Sequence, residues 1–280
     1  MPEKGTLYIC ATPIGNLRDI TLRVLKTLQD VDFIAAEDTR HSKKLLDHYK
    51  IKTPLLSYHQ HNERQRASEL ITRLHKGENG ALISDAGMPG ISDPGQILIR
   101  ECLEEDIAID VLPGPNAALT ALVLSGMPTD SFVYLGFLPL KKKERKKALA
   151  GITKLPYTII IYEAPHRLVR TLQDILEILG ERKIAVAREL TKLHQTVYKG
   201  LLSELLVRFQ ITPPKGECCL LLEPYKEEKI EGGPADWLTE LRKLELEGKD
   251  RKEAMKVIAK RYGISKSVIY KARLDKEKGR

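Results

Sequence analysis

The sequence predicts an α/β protein with two larger α/β domains followed by a small, basic, helical domain. Short apolar runs alternate with helical repeats along most of the chain, which is typical of sheets covered by helices. The length of 280 residues suits two domains and a small third. Pro234–Arg280 holds 14 basic and 8 acidic residues, a net charge of +6 in a chain whose net charge is +8. Gly232-Gly233-Pro234 marks the joint, so we divide the chain into residues 1–114, 115–230 and 234–280.

The composition excludes several classes of protein. Hydrophobic residues make up 42% of the chain and charged residues 30%, which argues against a disordered chain, a collagen or a coiled coil. No apolar run approaches the roughly 18 residues of a membrane span, and the N-terminus does not read as a secretory signal. The four cysteines form no Cys-x-x-Cys pair, so we expect a cytoplasmic protein without a membrane partner. His59 and His61 have no further ligand at a useful spacing, which favours a surface pair and no metal site.

Strand-like apolar runs follow one another in order, most of them separated by helical patterns. The clearest helical pattern has Pro165 suited to its first turn and Gly180 to its end, with one apolar face made of Leu168, Leu172, Ile175, Leu176 and Leu179. Another begins at Asn62, with Gln65 three residues on as in a capping box. The alternation predicts parallel strand pairing. The strand-like runs are Leu7–Ala11, Phe33–Ala36, Ala81–Ser84, Ile107–Leu112, Phe132–Phe137, Tyr157–Tyr162, Ile184–Ala187, Thr196–Lys199 and Cys218–Leu222.

Glycine, proline and polar residues collect directly after these strands. Ligands of α/β sheets bind at the carboxyl ends of the strands, where glycine lets the backbone approach a ligand and proline stiffens the loop. Turn chemistry explains any one such loop, but all of them together favour a binding site. None carries the P-loop, dinucleotide-binding or α/β-hydrolase motif. The loops are Ala11–Asn16, Glu37–Arg40, Ser84–Gly95, Pro113–Ala118, Glu163–Arg167 and Arg188–Thr191.

The loops also resemble the signature of one enzyme family. Ser84–Gly95 reads Ser-Asp-Ala-Gly-Met-Pro-Gly-Ile-Ser-Asp-Pro-Gly, and four further motifs match in the same order: Thr12–Leu17, Glu37–Arg40, Leu112–Ala117 and Tyr162–Arg167. On these motifs the chain resembles the ribosomal RNA small subunit methyltransferase I family, a branch of the tetrapyrrole methylase superfamily. Relatives that methylate tetrapyrroles and diphthamide precursors have Gly-Asp-Pro where this chain has Asp-Ala-Gly, so the resemblance is to the RNA branch.

The resemblance implies two α/β domains of the tetrapyrrole methylase type, S-adenosylmethionine in the cleft between them, and a homodimer. The implied reaction is 2′-O-methylation of one cytidine in the decoding region of 16S ribosomal RNA, with the assembled small subunit as the expected partner. The implied cofactor-binding residues are Pro13, Gly15, Asp85, Ala86, Gly87, Met88, Asp93, Asn116, Ala117, Tyr162, Leu190, Gly216 and Glu217.

Methyl transfer from a sulfonium to a ribose hydroxyl requires in-line positioning and a base near the hydroxyl, but no metal. Charged side chains in the strand-end loops are therefore catalytic candidates, and for each of them the alternative is ordinary helix capping. The main candidates are Asp38, Arg40, Glu163 and Glu189, and Asp85, His166 and Arg167 are further possibilities.

The segment Asp250–Ala272 reads as a helix–turn–helix. Asp250 and Ser265 are placed to cap its two helices, and Gly263 sits at the turn. Such a module binds RNA, packs as a structural cap or reads duplex DNA, and RNA binding is favoured here. The inward-facing residues are Ala254, Val257, Ile258, Val268, Ile269 and Ala272, and the RNA-binding candidates are Lys266, Lys271 and Arg273.

Two other functions stay open at this point. One is a small-molecule methyltransferase whose tail serves as a structural clamp. The other is a DNA-binding regulator whose α/β body senses a ligand. A second basic run, Lys141–Lys147, fits a solvated face as well as it fits contact with a polyanion.

Overall fold

A computed structural model describes residues 4–226 and 232–277. The chain forms two compact units, the first ending at Pro224 and the second beginning at Tyr225. None of the helices in the described ranges has the length and apolar character needed to cross a bilayer. Within residues 4–226 the strands form two five-stranded sheets. The domain boundary predicted at residue 114 falls between the last strand of the first sheet and a helix that packs on the second sheet.

The first sheet is parallel throughout and has helices on both faces. One face packs on α1 and α2, and the other on α3 and α4, so that the central strands are buried on both sides. Its strand order is β3-β2-β4-β1-β5. The strands are β1 Thr6–Cys10, β2 Phe33–Ala36, β3 Leu55–Ser57, β4 Gly80–Ile83 and β5 Ala108–Leu112, and the helices are α1 Leu22–Asp30, α2 Thr39–His48, α3 Glu63–His75 and α4 Gln96–Glu104.

The second sheet is mixed, and here the prediction of parallel pairing is wrong. Only β6 and β7 pair in parallel within this sheet of the described chain, whereas β10 lies antiparallel between β7 and β8, and β9 is antiparallel to β8. Helix α5 covers one face, and α6, α7 and α8 cover the other. The strands are β6 Phe132–Phe137, β7 Thr158–Glu163, β8 Lys183–Arg188, β9 Thr196–Leu201 and β10 Cys218–Leu222, and the helices are α5 Ala117–Ser125, α6 Lys142–Ala150, α7 Leu168–Leu179 and α8 Leu202–Ile211.

The reversed direction of β10 determines which residues meet at one end of this sheet. Cys218, the first residue of β10, pairs with Glu163 at the end of β7 and with Arg188 at the end of β8. The start of β10 therefore lies beside the carboxyl ends of β7 and β8.

Two local predictions for the first unit have different outcomes. Gly180 ends α7 at φ +74, as predicted. Asn62 precedes α3, but its side chain does not cap that helix; instead its Oδ1 accepts a hydrogen bond from the His59 amide at 2.8 Å. The asparagine closes the preceding turn, and the predicted capping box is wrong.

The second unit packs three helices, α9 Pro234–Leu246, α10 Arg251–Tyr262 and α11 Lys266–Glu277, within residues 232–277. The Asp250 side chain caps α10, and Gly263 ends it at φ +63, as predicted. Ser265 Oγ accepts from the Val268 amide at 3.4 Å. Two expectations need correction. Val268 is 44% exposed, and the Arg273 guanidinium lies 3.5 Å from the Glu245 carboxylate because α11 packs against α9.

Candidate active site

A cavity of about 460 Å³ lies where the strand ends of the two sheets of the first unit meet. Loops after β1, β2, β4 and β5 supply one wall, and the ends of β6, β7 and β8 with the start of β10 supply the other. The volume falls in the range of small-molecule sites, and its position at strand ends is where α/β folds bind ligands.

The long loop after β4 is fixed to the loop after β1 by backbone hydrogen bonds. The amide of Thr12 donates to the Gly87 carbonyl oxygen at 2.8 Å, and the Gly87 amide donates back at 3.0 Å. Thr12 Oγ1 also donates to the Ser84 carbonyl oxygen at 3.0 Å. Gly87 adopts φ +85, a conformation that favours glycine, so this residue type is required by the turn that forms the cavity floor.

One side of the cavity is acidic. Glu37, Asp85, Asp93 and Glu217 all line it. Burial and the nearby carboxyls raise the pKa of Asp93 to about 7, and burial with Asp85 raises the pKa of Glu37. The Asp85 carboxylate is oriented by the Asp38 amide, which donates to its Oδ1 at 3.1 Å. The cavity therefore holds negative charge whose mutual repulsion a bound cation would relieve.

Another part of the cavity is aromatic. The rings of Tyr134 and Phe137 each pack edge-to-face on Tyr162, with centroids 5.1 and 5.7 Å away. The Tyr134 hydroxyl lies 2.7 Å from Ser92 Oγ. Phe137 is 43% exposed and lines the cavity, so it presents an uncovered aromatic surface at the rim.

The loop after β8 brings Glu189 into the cavity in a strained backbone conformation. Glu189 and Thr191 have φ of +51 and +62, which is uncommon for residues other than glycine. The Lys192 ammonium donates to Glu189 Oε1 at 3.1 Å. Gly216 makes room for this carboxylate, because a Cβ there would lie 2.1 Å from Glu189 Oε1.

Most of the residues predicted to bind a cofactor line this cavity, but Pro13 and Gly15 lie outside it. Pro13 is buried, and the neighbouring Ile14 faces the cavity in its place. At Gly15 a Cβ would lie 2.7 Å from the Leu190 carbonyl oxygen, so this glycine lets the loops after β1 and β8 approach each other. The predicted residues that do line the cavity are Asp85, Ala86, Gly87, Met88, Asp93, Asn116, Ala117, Tyr162, Leu190, Gly216 and Glu217.

Of the four main catalytic candidates, Glu189 lines the cavity, whereas Asp38, Arg40 and Glu163 lie outside it. The Asp38 carboxylate caps α2 and pairs with the exposed Arg40, which lowers its pKa. Glu163 is fully buried, where it accepts from Thr171 Oγ1 at 2.5 Å and pairs with Arg167 at 3.1 Å. Asp38 therefore has the contacts of a helix cap, and Glu163 has those of a buried structural residue. Neither carboxylate is placed as a base in the cavity.

Sequence reasoning missed several lining residues. Glu37 directly follows a predicted strand, and Phe137 ends one. Their positions at strand ends could have identified them as lining residues. Lys192 lies in the loop after β8, where its position after a predicted strand was again the signal. The place of Cys218 and Cys219 depended on the direction of β10, which no local pattern gave.

The comparison with known proteins decides the family. The family described as Tetrapyrrole (Corrin/Porphyrin) Methylases matches residues 6–206. The chain belongs to the tetrapyrrole methylase family. It is a methyltransferase, and most of the residues that line the cavity lie within the matched range.

Two relatives and one solved structure illustrate what this methylase is similar to. A protein of Halalkalibacterium halodurans named ribosomal RNA small subunit methyltransferase I is 47% identical over 273 residues, covering 96% of this chain and 94% of that protein. A protein of Thermotoga maritima with the same name is 48% identical over 218 residues, which are 78% of this chain and 98% of that protein. A crystal structure of diphthine synthase superposes with a TM-score of 0.61 at 11% identity, covering 78% of this chain and 90% of that one, and shows the shared fold alone.

Proposed function

We propose that this methyltransferase transfers a methyl group from S-adenosylmethionine to the 2′-oxygen of one cytidine in 16S ribosomal RNA, within the small subunit in the cytoplasm. The observation that carries the proposal is the cavity at the strand ends, which combines an acidic wall with an aromatic rim. It belongs to a chain 47% identical to a relative named for small-subunit ribosomal RNA methylation.

The residues of the cavity fit S-adenosylmethionine. That molecule carries a positive sulfonium and an ammonium group. The carboxylates of Glu37, Asp85 and Asp93 supply negative charges that repel one another when no cation is bound. We assign Asp85 and Asp93 to the cationic part of the cofactor. The volume of about 460 Å³ is adequate for a ligand of this size.

S-adenosylmethionine supplies a methyl group already activated by its positive sulfur, so the protein must orient the acceptor oxygen and receive its proton. We assign the proton to the carboxylate of Glu189, which lines the cavity and is held by Lys192 at 3.1 Å. The positive φ of Glu189 supports this assignment, because strained backbone concentrates at functional sites. Phe137 is suited to stack on the cytosine ring, since sequence-specific RNA recognition uses aromatic side chains in this way.

The second unit is assigned to RNA binding through Lys266 and Lys271, which are exposed on α11. Arg273 is left out of this assignment because it pairs with Glu245.

A homodimer is also part of the proposal. It is supported by the apolar side chains of Leu119 and Val123 on α5, which are 48% and 74% exposed.

The deciding experiment supplies the protein with methyl-labelled S-adenosylmethionine and small ribosomal subunits from cells that lack this modification. Nuclease mapping and nucleoside analysis then locate the label. We expect a single 2′-O-methylcytidine. Label on a base would make the assigned position wrong. If cofactor binds but neither subunits nor free RNA take up label, the RNA assignment fails and a small-molecule acceptor becomes the better proposal.

A further inference from the structure

A second concavity of the first unit, the α6–α7 groove, lies apart from the candidate active site. Its volume is about 610 Å³, and it is lined by α6, α7 and the loops that precede them. The basic residues among its lining are Lys142, Arg145, His166, Arg167 and Arg170. Asp174 is also part of the lining, so cations outnumber anions there.

The two deepest arginines of the groove have structural partners. Arg145 is buried, with its guanidinium 2.6 Å from the Asp174 carboxylate, and it donates to carbonyl oxygens of the loop before α6. Arg167 pairs with Glu163 and donates to the Leu138 carbonyl oxygen at 2.8 Å. These contacts fix the β6–α6 loop against the start of α7, so the groove has a rigid floor.

The rim of the groove carries two exposed cations, Lys142 and Arg170, and the exposed side chain of His166. The charge of Lys142 acts on Glu177 only at longer range, since that carboxylate is bonded to Lys146. Across residues 4–226 and 232–277, neither Lys142 nor Arg170 forms an ion pair. Exposed cations gathered on a rigid concave surface attract anions, and a flexible polyanion can contact several of them at once.

The groove adjoins the active-site cavity through two shared loops. Phe137 and Tyr162 line the cavity, whereas Leu140 and His166, a few residues further along the same segments, line the groove. The rim cations Lys142 and Arg170 therefore lie a short way along the chain from residues that line the cavity.

We propose that the α6–α7 groove binds backbone phosphates of the RNA next to the target nucleotide and so fixes which ribose enters the cavity. This inference rests on the proposed function. Phosphate contacts of this kind set register and orientation without reading sequence. The groove would thus contribute to substrate affinity and leave cofactor binding unchanged.

The test compares two double variants in the full-length protein. Lys142→Ala with Arg170→Ala removes the rim cations. Lys76→Ala with Arg100→Ala is the control: it removes two exposed cations outside both concavities, one at the C-cap of α3 and one in the middle of α4, where Arg100 forms an exposed ion pair with Glu104. For each, we would measure the KM for small subunits over a range of salt concentrations, the Kd for S-adenosylmethionine and the Tm.

We expect the rim variant to raise KM about ten-fold or more, and to flatten the slope of log affinity against log salt by roughly one to two. Its Kd for S-adenosylmethionine and its Tm should match those of the control. A swap that keeps both charges, Lys142→Arg with Arg170→Lys, should restore KM. A rim variant indistinguishable from the control, or a swap as defective as the alanine pair, would overturn the inference. The wild-type protein is measured alongside the variants. If it methylates no subunits, both the proposed function and the role of the groove are wrong. If it does and the variants do not behave as expected, only the role of the groove is wrong.

Discussion

Glu189 combines a strained backbone with a place in the cavity, and it offers the sharpest test of the proposed chemistry. We expect Glu189→Gln to lower the rate of methyl transfer by about 10²–10⁴-fold, because the amide cannot accept the ribose proton. Cofactor affinity should change little. Single-turnover assays with saturating cofactor would measure the rate, with the exposed Glu104→Gln on α4 as the control. An unchanged rate would exclude Glu189 as the proton acceptor.

Asp93 makes the stability of the protein depend on pH. Its pKa is raised from 3.8 to about 7 in the folded protein, first by burial and then by neighbouring carboxyls. The unfolded chain therefore releases this proton at lower pH than the folded chain, and the carboxyl destabilises the fold progressively as pH rises from about 4 to 7.

Asp93→Asn should remove this penalty. Without ligand, we expect the variant to be more stable than wild type by about 1–2 kcal/mol at pH 8, a figure reduced for partial solvent exposure, and to show no such gain at pH 4. Urea unfolding at both pH values measures the difference. An equal difference at the two pH values would show that the titration of Asp93 is not its cause.

Ala117 tests the cavity as a cofactor site. It is the first residue of α5 and lines the cavity, so Ala117→Trp should fill the space and abolish binding of S-adenosylmethionine. Ala150→Trp, at the exposed end of α6, is the matched control. Gly87→Trp should also block binding, but its φ of +85 adds backbone strain, which makes Ala117 the cleaner position. Calorimetric titration that finds normal affinity in Ala117→Trp would refute the site.

At the scale of elements, Glu163 ties β7 to α7 from a fully buried position. Glu163→Ala leaves the Arg167 guanidinium without its partner, so we expect a loss of about 3–5 kcal/mol in the free energy of unfolding. The rate of methyl transfer per folded molecule should stay close to wild type. Denaturant unfolding and an active-fraction-corrected assay measure the two effects. A large rate loss in a fully folded variant would return Glu163 to the catalytic candidates.

The individual strands were more predictable than their pairing. Nine strands coincide with the strand-like runs of the sequence, and the three that are buried at every residue, β2, β4 and β10, read as continuous hydrophobic segments. β3 was missed, since Leu55–Ser57 is too short to show a period. The direction of β10 was also hidden: all five of its residues are buried, and such a run reads the same whichever way the strand lies. Long-range pairing with β7 and β8 determined it.

The site was predictable where it follows strand ends and unpredictable where it depends on approach between distant loops. Asp85, Asp93 and Ala117 follow strands in sequence, so their convergence could be expected. Gly15 was predicted to contact the cofactor, but the structure shows that its lack of a side chain leaves room for the loop after β8. That requirement arises from tertiary structure alone, and a single sequence does not carry it.

At the scale of the whole molecule, we expect the two units to have separate functions. The Thermotoga maritima relative matches over 218 residues, which are 98% of its own length and 78% of this chain, so that protein is about the size of the first unit. The first unit here has its own cores and contains the whole cavity. The basic second unit has a separate core and is assigned to RNA.

A chain ending at residue 226 should therefore fold and bind S-adenosylmethionine with the affinity of the full-length protein, while its KM for small subunits rises and becomes less salt-dependent. In the full chain, Lys266→Glu with Lys271→Glu should reproduce the rise in KM, whereas Lys249→Glu with Lys256→Glu, which changes the same charge on the same unit, should have a smaller effect. Steady-state methyl transfer at several salt concentrations distinguishes these variants. If truncation raised KM but both charge-reversed variants matched wild type, the second unit would act as a structural clamp, and the RNA contacts would lie on the first unit alone.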